Sequence, residues 1–155
     1  MDLEHSLVSM SKWESKYEVP FLSTNDKTLE QTIDYIRMMV VGDNPPPEVF
    51  ARISADHINE INRYIASKQT ATWFSNERKK TAPSREVITA ELIYYWMISH
   101  NVPVEFQHWH LSRLLTLIKV CNVKNAPKEK VSPAEMLQQR RELNEQRKRE
   151  LGTTG

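Results

Sequence analysis

His108, Trp109 and His110, with Glu105 one turn ahead of them, come nearest in type and spacing to a metal site. Zinc is held by three or four imidazole, thiolate or carboxylate groups that converge on one point. Residues two apart on a helix point about 200° from one another, so His108 and His110 cannot share an ion. Glu105 and His108 together supply only two ligands. The expectation is no metal, with His110 a core or edge histidine bonded to a backbone carbonyl and His108 in solvent. Cys121 is the one thiol, and at a helical apolar position it reads as a small buried hydrophobe. The three glycines, Gly42, Gly152 and Gly155, cannot assemble a phosphate-cradling loop, and no Gly-x-Ser-x-Gly or His-Glu-x-x-His string occurs. Glu91, Glu105 and His108 would form an acid-histidine pocket only if folding gathered them. The sequence therefore predicts a non-enzyme without a cofactor.

Residues suited to binding are easier to find. Trp13, Tyr17 and Phe21 recur at steps of four, either filling a groove in the chain's own core or anchoring a partner. The segment MLQQRRELNEQRKREL, starting at Met136, is mostly charged, with Met136, Leu137, Leu143 and Leu151 its only large apolar residues. A helix of that kind buries little. From Lys124 to Glu150 there are eight Lys or Arg against five acidic residues, a mild excess in which Arg141 with Glu145 and Glu145 with Arg149 form i,i+4 pairs. The candidate partner-binding residues are thus Trp13, Tyr17, Phe21, Met136, Leu137, Arg140, Arg141, Leu143, Arg147 and Lys148. Reading the helical pair around His100 as a DNA-binding helix-turn-helix fails on polarity. Its second helix, LSRLLTLIKV, offers base edges only Ser112, Arg113, Thr116 and Lys119.

These residues need helices to hold them. Thr89 to Cys121 reads as a helical hairpin about the turn His100-Asn101-Val102-Pro103, and its apolar content should dominate the core. Leu92, Tyr95, Trp96 and Ser99 form the predicted stripe of its first half. Phe106, Trp109 or His110, Leu114, Leu117, Ile118 and Cys121 form that of the second. Upstream, Trp13 to Phe21 predicts a turn or two of helix stopped by Pro20. Thr28 with Gln31 is a capping box, opening a helix to about Val41 with Leu29, Ile33, Ile36 and Met39 or Val40 inward. Gly42-Asp43-Asn44 closes it. Pro45-Pro46-Pro47 reads as a helix start, with a proline-rich ligand as the other option. Ser54 caps a helix to about Ser67 with Ile58, Ile61 and Ile65 inward. Thr70 to Phe74 has no helical stripe, and Asn76 to Pro83 is polar. Ser132-Pro133-Ala134-Glu135 marks the start of the last helix.

The expected fold is all-α: a single-domain bundle of about six helices with a central hairpin and a charged C-terminal helix. Residues 1-123 would be the helical core, and 124-155 a basic linker with that last helix. A length of 155 residues fits one core, and three Gly against eight Pro disfavours a turn-rich β architecture. A net charge of +1 provides no whole-molecule field for a polyanion. The start Met1-Asp2-Leu3-Glu4-His5 does not read as a signal peptide, and no apolar run spans a membrane. A reducing cytoplasm is the expected compartment.

Four strings, SKWESKYEVPFLS, TATWF, AELIYYWMISHNVPVEFQHWHLSRLLTLIKVCNVKN and LNEQRKRELGTTG, together resemble a family of virion-morphogenesis proteins of tailed bacteriophages, of the tail assembly chaperone type. The resemblance spans nearly the whole chain. It implies a protein that acts without catalysis in the host cytoplasm or the virion and binds a phage structural protein such as a long helical tail component. Self-association is a further option, and no membrane is involved. The alternative is a nucleic-acid-binding or regulatory protein using the basic C-terminal helix.

Overall fold

A computed structural model of the chain describes residues 1–74, 86–126 and 133–151. The chain falls into two units, Met1–Thr70 with Glu86–Lys124, and Ala71–Arg85 with Asn125–Gly155. Seven α-helices are present among the described residues, one more than the sequence suggests, together with a short 3-10 helix and a two-stranded sheet. The chain is all-α in class.

In the first unit, β1 (Asp2–Leu3) leads into α1 (Leu7–Tyr17), which Ser6 and Ser9 start with a reciprocal capping box. Glu18 ends it in the left-handed conformation at φ 55°, two residues before Pro20. The helix is longer than its aromatic spacing suggests because Leu7 and Met10 extend the apolar face back to Ser6. Leu7, Met10 and Trp13 are fully buried. α1 packs against α2 (Leu29–Met38), α5 (Ala90–Ser99) and the 3-10 helix (Val104–His108), so α1 is the hub of the fold.

Thr28 and Gln31 form the expected box at the start of α2. The helix stops at Met38, short of the expected Val41, because Val40–Val41 becomes strand β2, antiparallel to β1 with Leu3 opposite Val40. Two β-branched residues favour that extended state. Gly42 then turns the chain at φ 86°, a conformation that costs a side-chain-bearing residue energy. Ile36 and Met39 of the predicted stripe are buried and Ile33 is half-buried, but Leu29 is exposed, and the inward face also takes in Asp34 and Tyr35. Helix α3 (Pro47–Ala51) begins at the third proline of the run, and α4 (Ala55–Ile65) follows from its Ser54 cap. No residue of α4 is buried.

Helices form on both sides of the predicted turn. After α5, Asn101 takes a left-handed φ of 53°, and the Val102 N–H donates to the Met97 carbonyl at 2.8 Å. The 3-10 turn intervenes before α6 (Leu111–Asn125), so Phe106 and Trp109 lie outside the helix on which periodicity placed them. The buried residues of α5 are Ala90, Ile93 and Met97, not the predicted Leu92, Tyr95, Trp96 and Ser99. Tyr95 and Ile98 are 63% and 75% exposed. Periodicity selects a face only where polar residues mark the other one, and AELIYYWMIS is apolar nearly all round.

In the second unit, α7 (Pro133–Leu151) begins at the proline that the sequence marked. The proposed Ser132 cap and the polar Asn76–Pro83 stretch lie outside the described residues. Thr70 to Phe74 carries no regular secondary structure.

Candidate functional site

Two features of the first unit concentrate chemistry, and they share Tyr64. One is a cluster of buried polar groups. His5, on the strap Met1–Ser6 that contains β1, sets its Nδ1 2.5 Å from the Tyr35 hydroxyl of α2. That hydroxyl lies 3.2 Å from Ser9 Oγ of α1, which donates to the Ser6 carbonyl at 2.8 Å. The His5 ring stands 5.2 Å from the ring of His110, just ahead of α6. His110 Nδ1 accepts from the Ser112 N–H at 3.3 Å, which leaves Nε2, also 3.3 Å from the Tyr64 carbonyl, to donate there. Tyr64, in α4, donates its hydroxyl to Glu4 Oε1 at 2.6 Å.

Burial sets the protonation of this cluster. Loss of water, and then the neighbouring His110, hold the His5 imidazole down at about 4, so it is neutral near pH 7. Burial pushes the Tyr35 hydroxyl upward. Burial and then the Glu4 carboxylate push Tyr64 up to about 12. His5, Tyr35 and Tyr64 are therefore uncharged near pH 7. The cluster is a set of satisfied hydrogen bonds at a junction of the strap, α1, α2, α4 and α6. Ser9, 1% exposed, cannot meet a substrate.

The other feature is a groove of about 620 Å³ lined by Met1, Leu3, Val49, Ile53, Ile61 and Tyr64, with Arg52, His57 and Glu60 also bordering it. The strap forms one wall, and α3 with α4 the others. Ile58, Ile61 and Ile65, the expected inward face of α4, are half-buried; Ile61 and Ile65 pack against the core, and Ile61 also borders the groove. His57 Nδ1 accepts from the Ser54 N–H, which directs that ring to capping α4. A mostly apolar concavity of this size with a few polar groups suits an apolar side chain or ligand.

No family model, curated protein or solved structure matches this chain.

The residues singled out from the sequence do not converge. His110 is buried with its Nε2 on a backbone carbonyl, as expected of a core histidine, and His108 is exposed. Glu91 lines a cavity with Glu14 and Glu18, whereas His108 lines a different one with Glu4 and Lys12. Trp13 and Phe21 require a correction as partner contacts. Both are core residues, their rings 5.2 Å apart edge to face, and Trp13 donates its Nε1–H to the Gln31 carbonyl. Tyr17 is half-buried and donates to Asp34 Oδ2 at 2.6 Å. Asp34 also receives Lys16 and Arg37, and its carboxyl is held below the usual range, first by Lys16 and then by Tyr17. The aromatic trio is thus turned inward.

On α7, Met136 and Leu137 are 50% and 54% exposed, Arg140, Arg141, Arg147 and Lys148 are exposed, and Leu143 is half-buried. Steps of seven align Arg140 with Arg147 and Arg141 with Lys148 on one side of the helix. Leu137 lies among them, and Glu135, Glu142 and Glu145 lie on the other side. Sequence reasoning missed His5, Tyr35 and Tyr64, which come together from positions 30 and 29 residues apart with no local spacing to announce them.

Proposed function

We propose that this protein works without catalysis, as an assembly factor that binds another polypeptide, in keeping with the tail assembly proteins of bacteriophages that its sequence resembles. The observation that carries the reading is the open groove beside α4. Apolar surface left in water stabilises a complex by about 25 cal/mol for each Å² a partner covers. The uncovered Met136 and Leu137 of α7 supply a second contact of the same kind. The partner is a phage structural protein, a long helical tail component fitting best, met in the host cytoplasm or retained in the virion. A second copy of the chain could use the same surfaces.

Co-expression and co-purification with a long helical tail protein tests this. Ile61→Asp in the groove, and separately Leu137→Asp with Leu143→Asp on α7, should each lower capture at least tenfold, roughly the effect of 1.4 kcal/mol. The helical circular dichroism should stay at the wild-type level. Capture unaltered in both variants would sink the reading.

The gathered cations of α7 favour a second reading, in which that helix grips nucleic acid. It requires duplex binding whose log affinity falls by about 0.9 for each phosphate contact per log unit of salt. A retardation assay at two salt concentrations, repeated with Arg140→Glu and Arg147→Glu, distinguishes the two.

A further inference from the structure

We propose that the strap Met1–Ser6 is an acid-released wall of the groove, latched shut by the buried ring pair His5 and His110. The strap's backbone is held along both edges. Leu3 lies opposite Val40, and the Glu4 N–H donates to the Met39 carbonyl at 2.8 Å. On the other edge the Leu111 N–H donates to the His5 carbonyl at 2.7 Å, and Ser6 bridges to His110. His5 and His110 are 4% and 5% exposed, so a proton on either ring is a charge placed out of water beside the other ring. A proton on His110 Nδ1 also removes the acceptor of the Ser112 N–H.

The surroundings of His5 offer little to hold a cation. Glu4 neighbours it on the strap, with its Oε1 already taken by Tyr64. α1 presents Ser9, α2 presents Tyr35, the turn after α1 presents the Phe21 ring at 6.1 Å, and the segment before α6 presents His110. From α4 comes the neutral Tyr64 hydroxyl. Lys12 lines the neighbouring cavity with Glu4 and Ser6, adding a positive charge, and His108 borders that cavity too.

Peeling the strap away hydrates His5 and removes Met1 and Leu3 from the groove wall, while Leu7, Met10 and Trp13 stay packed. A histidine held down at about 4 when closed, against 6.5 in water, favours the closed strap fully above pH 6.5. That preference is lost as pH falls from 6.5 through 4, a change of roughly 300-fold in the closed-to-open ratio. Release of the strap does not depend on which partner the groove takes.

Amide hydrogen exchange on the full chain, resolved by residue and expressed as protection factors from pH 7.5 to 3.5, reads this directly. The Glu4 and Leu111 amides should lose up to about 300-fold in protection relative to the Ile93 amide in the core. His5→Gln should abolish that pH dependence, and His110→Gln should weaken it. Parallel loss at Ile93, or strap amides whose relative protection ignores pH, would overturn the proposal. Should His5→Gln fail to fold, the titration of His5 in the wild-type chain decides instead: a midpoint near 4 agrees, and one near 6.5 refutes.

Discussion

Truncating Trp13 to alanine should lower the free energy of unfolding by about 3–5 kcal/mol, measured by urea denaturation. The indole is fully buried, and it packs against Tyr17 at 4.9 Å and Phe21 at 5.2 Å. Its removal opens a cavity at the hub helix, because the close-packed neighbours relax only in part. It also strips the Gln31 carbonyl of its Nε1–H donor. Trp13→Phe retains most of the ring volume but not that donor, so it should cost less than the alanine variant. A partner anchor would behave differently, with an alanine variant that folds with near wild-type stability and loses only its capture of other proteins. Stability within about 0.5 kcal/mol of wild type would contradict the core assignment.

The second large effect belongs to Glu14, whose carboxylate is buried with both oxygens engaged. Oε1 accepts from the Phe21 N–H at 2.8 Å and Oε2 from the Ala90 N–H at 2.7 Å. Ala90 is the first residue of α5, where an unsatisfied amide meets the positive end of the helix. One side chain therefore fastens α1 to the turn after Pro20 and to the start of a helix 76 residues away. Glu14→Ala leaves two buried donors without partners, each costing about 1–3 kcal/mol, so a loss of roughly 2–6 kcal/mol is expected. Glu14→Gln keeps one carbonyl oxygen and places an NH₂ against the other amide, and should fall between alanine and wild type. Equal stability of the Gln variant and wild type would show that only one of the two bonds matters.

Local signals were legible in the sequence wherever a few neighbouring residues decide the outcome. Thr28 with Gln31, Ser54, Pro47 and Pro133 each mark a helix start because capping and proline chemistry act within one turn. Faces were harder to read. Asp34 and Tyr35 are buried because Lys16 and Tyr17 meet the one, and His5 and Ser9 meet the other, from elsewhere in the chain. No count of apolar spacing on α2 can include partners that far away. The strand Val40–Val41 was hidden for the same reason, since it extends only because Asp2–Leu3 lies alongside. The groove, bordered by residues from Met1 to Tyr64, has no sequence spacing at all. The bare surface of α7 was legible, because a charged helix with four large apolar residues declares its own solvation.

Placing the hub at residues 7–17 has a consequence for synthesis, which runs from the first residue onward. Leu7, Met10 and Trp13 find part of their final cover only in helices beginning at Ala90 and Leu111, so the greasy side of α1 leaves the ribosome long before its lid does. At typical elongation speeds of about 5–20 residues per second, an interval of roughly eighty residues lasts on the order of 4–16 s. During that time the nascent segment offers bare tryptophan and leucine to its surroundings. The chain thus begins life in need of shielding.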